Sequence, residues 1–376
     1  MVEGLSSLYL LVSGDCNLSC SYCYADGGGY GRPVRAMTSD TMEAALRRLL
    51  PRNGRLTVSF FGGEPMMNFQ LIRHAVTFGT RLGEELNTEI KFALTTNGTL
   101  LDAEQLDFLR RHFSHVAVSL DGGRSITNYG RKFKNEDGDV YDRIVANLSL
   151  LKRAGVPYAL RGTIPEERVC DTEAAVRHVT TLGAAGWRVE PASGPMPWRR
   201  GNWRMFVEGM SRLHAESREA LLAGKPMVLP GELYKAAAYH LHGKRQQYPC
   251  LAGQGMLAVS TEGDVYPCHR FVAVNSACMG NVHDRDFPGD RYYRVAEGLK
   301  RNSVDERQKC HRCTVRYVCG GECPMRCMVR GDMATASVSH CALKLRTIGE
   351  TMRFLDETTA TRSGRARIES LLSGGR

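Results

Sequence analysis

Long apolar runs are missing from this chain, and so is a basic start. No uninterrupted hydrophobic stretch approaches the roughly 20 residues that cross a bilayer, so no membrane partner is expected. Met1-Val2-Glu3-Gly4 lacks the cationic region that opens a secretory signal, and the sequence predicts a cytoplasmic protein. Tryptophan is scarce, at 3 of 376 residues, and no Lys/Arg block is interleaved with aromatics. That pattern argues against a nucleic-acid partner. Repeats and low-complexity tracts are absent too. Acidic residues fall short of basic ones, 40 against 50, for a formal net charge of +10. Part of the excess sits in Arg47-Arg48, Arg110-Arg111, Arg199-Arg200 and a tail with Arg362, Arg365, Arg367 and Arg376. Such a surface either attracts acidic polypeptides or simply keeps the chain in solution.

Cysteine is missing where a disulfide scaffold would need it. Of 13 cysteines, only Cys170 lies between Cys23 and Cys250. Three sit near the N-terminus and nine fall between Cys250 and Cys341. Two separate clusters in a chain without an export signal point to metal or redox chemistry.

The first cluster, Cys16, Cys20 and Cys23, forms a C-x3-C-x2-C run directly after the apolar stretch Leu8-Tyr9-Leu10-Leu11-Val12. Structural zinc wants four ligands, and no histidine appears before His74. Three thiolates instead suit three irons of a four-iron cube. The fourth iron then stays open to bind and reduce a small molecule.

Between the clusters, short apolar runs alternate with amphipathic helical patterns. Strands are predicted at Tyr9–Ser13, Leu56–Phe61, Ile90–Thr95, His115–Leu120, Tyr158–Thr163 and Trp187–Glu190. Met42, Ala45, Leu46, Leu49 and Leu50 mark one helix face, and Leu106, Leu109 and Phe113 another, after the N-cap candidate Asp102. Six strand–helix units predict an α/β fold with a parallel sheet, either doubly wound or a partial barrel. Chemistry-bearing residues follow the strands' C-terminal ends, where parallel folds bind ligands. These are the cysteine run, Gly62-Gly63-Glu64-Pro65, Thr96-Asn97-Gly98, Ser119 with Asp121, and Arg161 with Thr163. A domain boundary is expected between Gly224 and Tyr248. A C-terminal helix is expected around Leu345–Glu357, followed by a mobile basic tail.

The cysteine run and the G-G-E-P turn together resemble the radical S-adenosylmethionine superfamily. The resemblance implies an α/β partial (β/α)6 TIM-type barrel with a small cysteine-rich C-terminal iron–sulfur domain. It implies a four-iron cluster on Cys16, Cys20 and Cys23 whose open iron chelates the cofactor's amino and carboxylate groups. Gly62, Gly63, Glu64 and Pro65 would meet the cofactor's amino group, Ser119 its ribose, Arg161 its carboxylate and Tyr22 the region of its adenine. Reductive cleavage of the sulfonium would then yield a 5′-deoxyadenosyl radical that removes hydrogen from an unactivated carbon.

The second cluster runs Cys250, Gly263-x4-Cys268, Cys310-x2-Cys313-x5-Cys319-x3-Cys323 and Cys341. Its order and spacing resemble the SPASM extension of radical enzymes that modify peptides and proteins. A zinc ribbon on Cys310, Cys313, Cys319 and Cys323 would leave Cys250, Cys268 and Cys341 without a purpose. The resemblance implies two auxiliary four-iron clusters, three clusters in all. Cys250, Cys268 and Cys323 would hold the first, and Cys310, Cys313, Cys319 and Cys341 the second. A fourth ligand of the first is Cys278, Cys327 or none. The implied units are 1–224 (barrel), 225–247 (linker), 248–345 (SPASM) and 346–376 (helix and basic tail).

Relatives that make formylglycine in sulfatases carry an aspartate base after the second SPASM cysteine. Here that position is His269, which is either a base or a hydrogen-bonding neighbour of the cluster. The expected function is therefore crosslinking of a ribosomally made precursor peptide, through a carbon–carbon, carbon–oxygen or thioether bond. Its partners would be that peptide, suited to the basic surface if acidic, and a low-potential donor such as flavodoxin or ferredoxin. With seven residues before the first strand, leader binding would fall to a separate partner or to the barrel itself. The alternatives are a formylglycine-forming or other protein side-chain oxidase, and a non-catalytic iron–sulfur relay or redox sensor.

Overall fold

The computed structural model describes residues 4–192, 198–225 and 230–374. Six parallel strands form the sheet: β1 Ser7–Ser13, β2 Arg55–Gly62, β3 Glu89–Thr96, β4 Phe113–Ser119, β5 Tyr158–Ile164 and β6 Gly186–Pro191. They are laid down in chain order, each beside the last. Leu8, Leu10, Val12, Val58 and Phe60 are buried in one core with the helices, whereas Tyr9 and Phe61 stay only partly covered. β5 alternates in the same way, with Leu160 buried and Arg161 half-buried. This period of two assigns one sheet face to the helices and leaves the other for the site.

Between the strands run α1 Ser39–Leu49, α2 Phe69–Glu85, α3 Ala103–His112, α4 Arg124–Gly130, α5 Val140–Arg153 and α6 Thr172–Thr180. Thr38 caps α1 by accepting from the Thr41 N–H, and Asp102 and Gln105 close a reciprocal capping box on α3. Then come α7 Arg200–Leu222, α8 Gly231–His242, α9 Asp290–Lys300, α10 Arg316–Cys319, α11 Pro324–Val329, α12 Val338–Thr359 and α13 Arg362–Gly374.

The sheet is longer than the sequence announced. β7 Met256–Val259 pairs in parallel with β1, and β8 Val265–Tyr266 pairs antiparallel with β7. The order is β6-β5-β4-β3-β2-β1-β7-β8, so among the described residues β6 and β8 each lack a partner on one side and the barrel stays open. The second cysteine-rich region is therefore joined to the barrel through a continuous sheet. Arg32, just past the cysteine run, reinforces the joint with bonds to Asp264 at 3.0 Å and the Tyr266 hydroxyl at 2.6 Å. Arg48 adds two more, to the Phe287 and Asp284 carbonyls.

The C-terminal region departs from expectation. The stretch 225–247 contains α8, whose Leu233, Ala236 and Ala237 are buried in one cluster with Ile348 and Leu355 of α12. α12 starts at Val338, well before Leu345, because Ser337 caps it by accepting from the His340 N–H. The basic tail is helical as α13, with Ile368 fully buried in the same cluster. Ile368, Leu371 and Leu372 give it one apolar stripe that its basic composition concealed. Among the described residues no helix is long and apolar enough to cross a membrane.

Candidate active site and cluster-binding residues

The cysteine run leaves β1 and is clamped from the side by residues 130–134. Ser19 and Ser21 N–H groups donate to the Lys132 and Gly130 carbonyls, and Lys134 N–H donates back to Asn17. Buried Leu18 pins the loop from below. Three donors already point at sulfur: Leu18 N–H at 3.4 Å and Asn97 Nδ2 at 3.7 Å from Cys16, and Gly27 N–H at 3.4 Å from Cys23. Burial pushes the Cys16 thiol up to about 12, and the Cys20 thiol also rises, chiefly through burial. A thiolate there requires a cation, and the N–H donors suit a sulfur that carries charge. These residues fit an iron cluster.

Gly62-Gly63 brings the next turn against that loop with no room for a side chain. A Cβ on Gly63 would lie 2.2 Å from the Asp15 carbonyl, and Gly62 sits at φ +140 beside Ser13. Gly63 and Glu64 N–H groups donate to the Ser13 and Asp15 carbonyls, at 2.8 Å each. Glu64 itself is fully buried and points inward. Its carboxylate accepts from the Thr96 hydroxyl, the Met66 N–H and the Asn97 N–H. Burial pushes it up to about 7, against these donors. A protonated acid would need an acceptor, and all three neighbours donate, so the arrangement fits the carboxylate. Glu64 thus locks the turn, buried Pro65 and Asn97 in place, and the backbone of Gly62 and Gly63 lies against the cysteine loop at Ser13, Asp15 and Gly27.

Tyr22 is likewise an anchor. Its hydroxyl donates to Asp121, which also takes both arms of Arg131 at 2.9 Å and the Thr163 N–H at 2.8 Å. A side chain on Gly130 would strike the Tyr22 ring at 2.4 Å. Ser119, the last residue of β4, and Arg161, at the middle of β5, are direct cross-strand partners, both half-buried. The sequence marked Tyr22 and Asp121 but missed Arg131, whose only signal is its place twelve residues after Ser119.

His269 packs at the open mouth against Phe61 and Tyr9, at ring-centroid distances of 4.4 and 4.7 Å. Burial, with Arg161 and Arg270, pushes its imidazole down to about 3, so the free protein holds it neutral. Its Nδ1 has no hydrogen-bond partner among the described residues. Tyr24 joins this aromatic group 6.4 Å from His269, a neighbour the sequence did not single out.

Seven of the remaining cysteines fall into two groups. Cys268, pushed up to about 12 by burial, also feels the Cys323 and Cys250 thiols. Cys319, pushed up to about 11, and Cys341, also raised by burial, both feel Cys310 and Cys313. The spare thiols are used internally. Fully buried Cys327 lies among Glu322, Arg330 and the Thr335 carbonyl, and Cys278 donates to the Gly280 carbonyl at 3.7 Å. Cys170 is exposed beside Asp171. His340 places Nε2 3.5 Å from Cys319 Sγ, a contact unannounced by the sequence except through its adjacency to Cys341.

Residues 10–179 match the radical SAM superfamily model, and residues 250–314 match SPASM, an iron–sulfur cluster-binding domain. The chain is a radical SAM enzyme of the SPASM type. It uses S-adenosylmethionine and iron–sulfur clusters as cofactors. A serine-type anaerobic sulfatase-maturating enzyme of Klebsiella aerogenes is 24% identical over 84% of this chain and 79% of its own. An AdoMet-dependent heme synthase of Oleidesulfovibrio alaskensis is 26% identical over 88% of this chain and 84% of its own. Among solved structures, anSMEcpe with bound AdoMet superposes at a TM-score of 0.79 with 20% identity, covering 97% of this chain and 98% of that one. Streptococcus suis SuiB bound to its precursor peptide SuiA superposes at 0.60 with 18% identity, covering 90% and 76%. At these identities the superpositions establish the radical SAM fold.

Proposed function

We propose that this radical SAM enzyme removes hydrogen from a peptide held at the barrel mouth and installs an intramolecular crosslink. Cys16, Cys20 and Cys23 hold the cofactor-binding cluster. The bed for S-adenosylmethionine is Tyr22, Gly62, Gly63, Glu64, Pro65, Ser119 and Arg161, with Glu64 and Tyr22 acting through the backbone they fix. Cys250, Cys268 and Cys323 hold one auxiliary cluster, and Cys310, Cys313, Cys319 and Cys341 the other. The catalytic units are drawn at 1–224 and 248–345. When bound, the cofactor and its cluster would supply the hydrogen-abstracting radical, and a cluster held by the C-terminal cysteines would take up the electron left over. The peptide loses one hydrogen atom, one electron and one proton as one new bond forms.

The observation carrying this reading is His269, a neutral imidazole wedged between Tyr9 and Phe61 where formylglycine-forming relatives place a carboxylate. SuiB, solved with a precursor peptide, supports a peptide as the substrate. Formylglycine formation is the second reading, favoured by the nearly complete overlap with anSMEcpe. Anaerobic coexpression with short reading frames beside its gene, followed by mass spectrometry, separates the two. Crosslinking predicts loss of two hydrogens, a product inert to hydrazide, and fragmentation blocked between the joined residues. A hydrazide-reactive product selects the aldehyde, and a chain that never forms 5′-deoxyadenosine sinks both.

A further inference from the structure

His340 supplies the second group of cysteines with a contact from outside its own loops. Its Nε2 lies 3.5 Å from Cys319 Sγ, across 21 residues of sequence. Sulfur is larger than oxygen, so this is bonding distance for an N–H donor. Cys319 also accepts from the Gly321 N–H, which the local turn brings to it. The imidazole instead arrives on the first turn of α12, and that turn is held from several sides. Ser337 Oγ accepts from the His340 N–H at 3.3 Å, and Ser337 gives its own N–H and hydroxyl to Glu322 at 2.6 and 2.8 Å. Glu322, only 3% exposed, takes Arg330 at 2.9 Å as well. From α7 the Trp203 indole N–H donates to the Ser339 carbonyl at 3.0 Å. A cap, a buried carboxylate and a neighbouring helix therefore fix the backbone from which the ring reaches the sulfur.

A thiolate bound to iron carries no proton and can only accept. Nε2 therefore carries the hydrogen, in the neutral ring as in the charged one. Reduction adds negative charge to cluster sulfurs, so an N–H aimed at one of them favours the reduced form. Other charged groups face the same cysteines: Arg307 bonds Cys310, Lys309 reaches Cys341 through its field, and Lys344 reaches Cys319. Glu322 opposes them from beside Arg330, and Lys344 is itself paired with Glu232. None of these is removed by a change at residue 340, so the share of the imidazole is read separately.

We infer that His340 is a positioning residue for the second auxiliary cluster: it donates Nε2–H to the Cys319 sulfur and raises that cluster's reduction potential. The inference rests on the assignment of Cys310, Cys313, Cys319 and Cys341 to one cluster. It adds a residue that sets how readily this cluster takes up an electron. His340 acts through Cys319 and is given no contact with substrate.

The test is a spectroscopically monitored redox titration of the anaerobically reconstituted enzyme, in wild-type, His340→Gln and His340→Leu forms. The potential that is absent from Cys310→Ala identifies the cluster in question. His340→Leu is expected to move that potential alone, to a more negative value by about 59 mV, tenfold in a one-electron equilibrium. His340→Gln, which keeps a donor at similar reach, should recover at least half of the shift. Iron content and circular dichroism should match the wild type in both. A potential unmoved in His340→Leu, or moved as far in His340→Gln, overturns the inference and leaves the cluster assignment standing. A second reading needs no variant at residue 340: electron–nuclear double resonance with nitrogen-labelled histidine. It should place a weak histidine nitrogen coupling on the reduced second auxiliary cluster, lost together with that cluster in Cys310→Ala. No such coupling overturns the inference as well. Survival of all three clusters in Cys310→Ala overturns both the inference and the assignment beneath it.

Discussion

The Tyr22 hydroxyl donates to the Asp121 carboxylate, joining the cysteine loop to the far end of β4. Asp121 is fully buried and its guanidinium partner, Arg131, nearly so. Removing one partner of such a pair strands the other charge, which costs about 3–5 kcal/mol. Asp121→Asn is therefore expected to destabilise the protein more than Tyr22→Phe, which deletes one hydrogen bond to a charged group, worth about 1.5–3 kcal/mol. Urea unfolding of the reconstituted protein measures both. The double change Asp121→Leu with Arg131→Met should cost less than Asp121→Asn alone. Equal midpoints for the two single variants would refute this account of the loop's anchorage.

Asn97 ties two features of the site together. Its side-chain amide reaches Cys16 Sγ and Asn17, while its backbone N–H holds Glu64 at 2.6 Å. Hydrogen bonds to cluster sulfurs stabilise the reduced state. Asn97→Ala should shift the first cluster to a more negative potential while leaving the two auxiliary clusters alone. A spectroscopically monitored redox titration reads all three. An unchanged first potential would remove Asn97 from the cluster's surroundings.

The division of the cysteines predicts an iron count. Cys16→Ala, Cys268→Ala and Cys310→Ala should each lose about four irons, one cluster apiece. Adding Cys319→Ala to Cys310→Ala should remove no more, because both belong to one group. Cys327→Ala and Cys278→Ala should keep the full complement, since their thiols bond to Glu322, Thr335 and Gly280. Loss of a cluster in either would make it the fourth ligand.

The sequence displayed the sheet because each of its first six strands alternates or runs apolar, from Leu8 to Val189, between helices with readable caps. It displayed the cysteines and the glycine turn because their spacing is dictated by a cofactor. The short β7 and β8 were not legible: four and two residues are too few to set a period against loop sequence. The inward turn of Glu64 was hidden for another reason. A carboxylate beside two glycines reads as a ligand contact, and only the fold reveals that Thr96, Met66 and Asn97 occupy it first.

His214 offers a pH test away from the clusters. It lies on α7, only 3% exposed, and its Nδ1 has no partner among the described residues. Burial pushes the imidazole down to about 4, with Glu232 opposing and Lys344 and Arg218 adding to the effect. The folded value lies below the unfolded one of about 6.5, so the unfolded chain takes up the proton first on acidification. Stability from the neutral ring is complete above pH 6.5 and is lost as pH falls towards 4, at up to about 1.4 kcal/mol per unit. Trp187, Trp198 and Trp203 pack in the cluster built on Phe206, Met210 and Leu213 of the same helix, so tryptophan fluorescence follows its unfolding. Urea midpoints at pH 7.5, 6.5 and 5.5 should fall slightly between the first two and several times as far between the second and third. In His214→Leu the drop should shrink, since no proton is then taken up at that position. A fall of the same size in both proteins would assign the acid sensitivity to other groups.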